Sequence, residues 1–143
     1  MRITTSKELP IGKIVYHVYG IRRTETDIES AEITKMVVLS APKMVLLGTG
    51  GGMFEGWYSP FIDVLKCYGG REYVSNCSLH DMGVDMEGRN VYNLNRIFHS
   101  YEDAEKFIEE LKADNFSNPV DQEYAERNPA FEELVEREYG LGF

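Results

Sequence analysis

The sequence predicts an α+β protein: an antiparallel, curved or barrel-like β-sheet over residues 11–99 with a short inserted helix, followed by two or three C-terminal α-helices. Three observations lead there. Apolar and polar residues alternate at period two in the first half of the chain, a helical period begins after Ser100, and the net charge of −9 falls entirely beyond residue 100.

At 143 residues the chain has the size of one domain, β-rich over 1–100 and acidic and helical over 101–143. Such a domain buries roughly two-thirds of its unfolded surface without needing staples. A composition of 43% hydrophobic and 27% charged residues excludes wholesale disorder. The opening MRITTSKELP has no apolar signal region, and the apolar runs Met36 to Leu39 and Met44 to Leu47 are too short to span a bilayer. Two cysteines, Cys67 and Cys77, make too thin a framework for a secreted domain and suit free thiols. The expected compartment is the cytoplasm, with no membrane partner.

The first strand is expected over Ile11 to Tyr19, where Ile14, Tyr16 and Val18 alternate with Lys13, Val15 and His17. A second follows at Glu32 to Ser40. Ala41-Pro42-Lys43 reads as a hairpin turn into a third strand at Lys43 to Leu47. Beyond the run Gly48 to Gly52, Met53 to Tyr58 reads as a fourth strand. Ser59 then offers a cap and Pro60 a first helical residue, while Phe61, Ile62, Val64, Leu65 and Tyr68 share a helical face that Gly69-Gly70 can stop, so a short helix is expected there. Glu72 to Ser75 and Val91 to His99 read as strands on either side of a polar loop, Asn76 to Asn90. Ser100 caps a helix with Ala104, Phe107, Ile108 and Leu111 on its inner stripe. Asp121 to Arg127 adds a turn or two, and Asn128-Pro129 opens a last helix that ends at Gly140.

From Tyr101 onward thirteen acidic residues face only Lys106, Lys112, Arg127 and Arg137, whereas the first 100 residues are neutral. Direct nucleic-acid binding is thereby disfavoured, since phosphate contact needs clustered Lys and Arg and only Arg22-Arg23 approach that. Acidic helical faces keep a small protein soluble. They can also steer it to a basic partner surface.

No catalytic or cofactor motif is complete. The run Gly48-Thr49-Gly50-Gly51-Gly52 exposes backbone N–H groups of the kind that cradle anions. It fits neither G-x-G-x-x-G, because Met53 takes the last position, nor a P-loop, because no G-K-[ST] follows. Cys67, Cys77 and His80 supply three zinc-type donors but lack a fourth unless His99 or Asp81 comes near. His80 to Gly88 gathers Asp81, Asp85 and Glu87 beside a histidine without the calcium-loop frame. The cysteines with His17, His80 or His99 offer a nucleophile and base without any signature spacing. Phe54, Trp57, Tyr58 and Tyr68 cluster around the glycine run, where aromatic rings can stack on a ligand or anchor a partner.

An opening strand at Gly12 to Tyr19, together with the ending Asn95-Arg96-Ile97-Phe98-His99-Ser100-Tyr101-Glu102-Asp103-Ala104-Glu105-Lys106-Phe107, resembles the layout of small uncharacterised phage-encoded proteins, over about the first 113 residues. The resemblance implies a viral accessory protein that acts by binding, for example as an inhibitor of a host defence system. It carries over no functional residue.

The function expected is therefore that of a non-enzymatic, phage-type binding protein in the host cytoplasm. Its partner is a host protein with a basic surface, met by Glu109, Glu110, Glu132, Glu133 and Glu136. One alternative is a small-molecule or nucleotide binder using Gly50, Gly51, Gly52, Trp57 and Tyr58. Another is a small enzyme built on His80 and its carboxylates. No cofactor is expected, and self-association is left open.

Overall fold

A computed structural model describes residues 1–20, 33–47 and 57–127. The fold is α+β, and the described residues form six strands in one antiparallel sheet: β1 (Ile14–Val18), β2 (Ile33–Val38), β3 (Lys43–Leu47), β4 (Trp57–Tyr68), β5 (Arg71–Ser78) and β6 (Arg96–Phe98). Two helices follow among the described residues, α1 (Tyr101–Ala113) and α2 (Pro119–Arg127). The pairing runs β6-β1-β2-β4, with β3 and β5 each paired to β4, and the sheet stays open where a barrel-like closure is one of the forms the sequence suggests. The segments 48–56 and 128–143, holding the glycine run and the expected last helix, lie outside the described residues.

β4 corrects the expected inserted helix. Phe61, Ile62, Val64, Leu65 and Tyr68 satisfy a helical face, but the same residues read at period two put Ile62 and Val64, both fully buried, on one side of a twelve-residue strand. Val64 to Cys67 pair with β2 and with β5 at once, so those strands take opposite edges and the segment is a central strand. Gly69-Gly70 do not stop a helix. With φ of +60° and +77° they form the tight turn of the β4–β5 hairpin, a conformation that costs glycine little.

The expected hairpin between β2 and β3 is also absent. Both strands run antiparallel to β4, with Val38 opposite Val64 and Lys43 opposite Phe61, so they point the same way. Leu39 to Pro42 is an irregular insert between them, pinned where the Leu39 N–H donates to Asp63 O and the Asp63 N–H donates to Ser40 Oγ at 2.9 Å. The other strands shift their bounds. β5 continues three residues past Ser75, and the Val91 to His99 strand shrinks to Arg96–Phe98 because Asn93 and Asn95 turn their side chains onto backbone and onto Arg96.

Register divides the core into two layers. Val15, Met36, Val38, Ile62, Val64 and Ile97 share one face, covered by Ile3 and Leu9 of the N-terminal segment and by Leu79, Met82 and Val84 of the stretch expected as a polar loop. Val18, Ile33, Tyr16 and Phe98 share the other, covered by Ala104, Phe107, Ile108 and Leu111 of α1 and by Tyr124 and Ala125 of α2. Burying a side chain of this size contributes about 1.5–3 kcal/mol each, before the entropy of ordering it.

Candidate functional site

α1 is set by local chemistry. Ser100, extended at φ −130°, accepts the Asp103 N–H on Oγ; Glu102 and Asp103 lie at the positive end of the helix dipole and Lys112 at the negative end. Asp114 closes the helix in the left-handed region and donates its N–H to Glu110 O and Leu111 O. With one stripe committed to the core, Glu102, Glu105 and Glu109 line up three and four residues apart on the exposed side. α2 starts where Asn118 Oδ1 accepts the Val120 N–H at 2.9 Å, and exposes Glu123 and Glu126. Glu109 meets Lys112 at 3.6 Å and Glu123 meets Arg127 at 3.2 Å. Exposed pairs of this kind hold little energy, and leave the outer surface acidic.

Of the residues expected to meet a partner, Glu109 points outward. Glu110 is half-buried, its carboxylate taking the Ser117 N–H at 2.7 Å and the Ser117 hydroxyl at 3.0 Å. Glu132, Glu133 and Glu136 lie outside the described residues, as do Gly50, Gly51 and Gly52. Trp57 opens β4 opposite Leu47. Tyr58, opposite Leu46, is 63% exposed.

Under the helices sits an ion cluster that no local pattern in the sequence announces. Arg96 is fully buried and Asp121 is 1% exposed. The Arg96 guanidinium donates to Asp121 Oδ1 at 3.1 Å, to Asn93 Oδ1 at 3.1 Å and to Asn93 O at 2.9 Å, and also to Asn95 O. Arg2 closes on the same carboxylate from the other side through both terminal nitrogens. Burial pushes the Arg96 guanidinium down and Asp121 holds it up. Gly83 makes room for it: at φ +70°, an added Cβ would stand 3.0 Å from Arg96 Cδ. Beside Arg2 and Asp121 a cleft of about 340 Å³ opens between α1 and α2, walled by Glu110, Ser117 and Asn118 over Phe98 and Phe107. Most of its polar atoms are already bonded to one another; Arg2 Nε is buried without a partner. A lone arginine at the end of an apolar strand was the one available signal.

The zinc trio is not brought together. Cys77 stands opposite Ile62, five residues along β4 from Cys67, so the two thiols project from opposite faces about 16 Å apart along the strand. Among the described residues no group of three His, Cys, Asp or Glu side chains can hold a metal. Burial pushes the Cys77 thiol up, so it stays protonated. His80 is held below its ordinary value by burial and then by Arg89, against Asp85 and Asp81. Those carboxylates are engaged elsewhere: Asp81 accepts from Tyr92 Oη, and Asp85 Oδ1 takes the Ser6 N–H at 2.9 Å. Ser59 Oγ lies 3.5 Å from His80 Nδ1, the outer limit of a hydrogen bond. His17, half-buried beside Lys66, is pushed down to about 4, chiefly by its loss of solvation.

The model of a phage g100-like protein family matches residues 3–111, from the N-terminal segment through the sheet to the last turn of α1. The chain belongs to that family. The matched segment contains Arg2's neighbour Ile3, Gly83 and Arg96, and ends before Asp121 and α2. No curated protein and no solved structure matches the chain significantly. Among the described residues no helix is long and apolar enough to cross a membrane.

Proposed function

We propose that this phage g100-like protein is a non-enzymatic accessory protein that inhibits or sequesters a host protein through the acidic outer faces of α1 and α2. The observation that carries the reading is the stripe Glu102, Glu105 and Glu109, exposed on the side of α1 away from its apolar stripe and joined by Glu123 and Glu126 of α2. A predominantly acidic surface of this kind, with Lys106, Lys112 and Arg127 outnumbered on it, speeds encounter with a basic patch and fixes its orientation. The host cytoplasm is where such a partner would be met.

The test is affinity capture from host extract with the wild-type chain and with Glu102→Gln/Glu105→Gln/Glu109→Gln, each at low and high salt. A basic protein held by wild type should be lost from the variant, and its retention on wild type should fall as salt screens the field. If the variant holds the same protein with the same salt dependence, the acidic stripe is not the contact.

A further inference from the structure

The two outer strands of the β4 side are finished differently. β5 exposes Tyr73 and Val74, but sets them between Arg71-Glu72 and Ser75-Asn76, charged and polar residues that normally blunt an edge against pairing. β3 has one charge, Lys43, whose ammonium is already paired with Asp63, followed by Met44-Val45-Leu46-Leu47. Among the described residues β3 pairs only with β4. Met44 is 62% exposed, Leu46 51% and Val45 36%, so neither face of the strand is covered, and Tyr58 extends the apolar surface next to Leu46.

We infer that this edge binds a second copy of the chain, β3 pairing antiparallel with β3 of the partner subunit about a two-fold axis at Val45. Charge and self-complementarity select that occupant. A molecule carrying −9 repels its own copies over the acidic helices. The stretch Met44 to Leu47 brings no charge to such a meeting. In the two-fold register Val45 meets Val45 of the partner subunit, Met44 meets Leu46 of the partner subunit and Lys43 meets Leu47 of the partner subunit. Met44, Val45 and Leu46 then each gain an apolar neighbour, Leu47 lies along the aliphatic stem of the partner subunit's Lys43, and no like charges stand opposite, as an isologous contact requires. A basic host protein finds nothing ionic to pair with on this edge, so the inference stands apart from the helix reading.

Sedimentation of the full chain across a concentration series tests it. The mass of wild type should rise from the 16.4 kDa monomer toward twice that value. Met44→Lys/Leu46→Lys places like charges opposite one another in the dimer, and association should weaken about a hundredfold. Met44→Glu/Leu46→Glu should weaken it similarly, and mixing the two variants should restore assembly. Both substituted side chains are exposed, and circular dichroism checks that each variant is folded. A wild type that stays at 16.4 kDa throughout, a lysine variant that assembles like wild type, or folded variants whose mixture does not assemble would each overturn the inference.

Discussion

β1, β2 and β6 pack against an apolar layer on one side and, over most of their length, against the helices on the other, whereas Met44, Val45 and Leu46 of β3 are exposed. The covered part is also tied across the chain. Arg96 at the end of β6 reaches Asp121 in α2, and Arg2 reaches it from the N-terminal segment. The contrast separates what holds this fold together from what it offers to other molecules. Helix packing and a buried ion cluster serve the first, while an acidic helix surface and an apolar strand edge are left for the second.

The contrast breaks most visibly at the ion cluster. Asp121→Asn leaves two guanidinium groups, one fully buried, without their counter-charge, and should cost about 3–5 kcal/mol in denaturant unfolding. The loss should appear equally at all protein concentrations, because the cluster is internal to one chain. Acid sharpens the same point on the opposite face. His17 is pushed down to about 4 in the fold, so the unfolded chain binds its proton more readily. Stability from this group is complete above pH 6.5 and is lost as pH falls toward 4, by up to about 3 kcal/mol. Thermal melts of His17→Gln should lack that part of the slope.

Smaller effects follow from backbone and cap. Gly83→Ala meets both a positive φ and the Arg96 side chain, and should destabilise by about 1–3 kcal/mol. Ser100→Ala removes the acceptor for the Asp103 N–H and should cost about 1 kcal/mol, read as a shift in urea midpoint.

What was legible in the sequence was local. Alternation at Ile14 to Val18 found β1, and Ser100 with its inner stripe found α1, because cap and stripe lie within a few turns of one another. β4 was misread because Pro60 and the spacing of Phe61, Ile62, Val64 and Leu65 suit a helix equally well. The decision belongs to β2 and β5, which flank it in space. The hairpin at Ala41-Pro42 failed for the same reason, since β3 pairs with a strand beyond the next segment. At the candidate site the acid stripe was visible as composition, but the commitment of Glu110 to Ser117 and of Asp121 to Arg96 needs contacts that no local pattern encodes.

Hydrogen exchange of the backbone amides at low and at high protein concentration tests the division between held and offered strands most directly. The account predicts slow exchange in β1, β2 and β6 at both concentrations, and in Lys43–Leu47 amides that become protected only when the protein is concentrated. Equal protection of β3 at both concentrations, or fast exchange in β1 and β6, would contradict it.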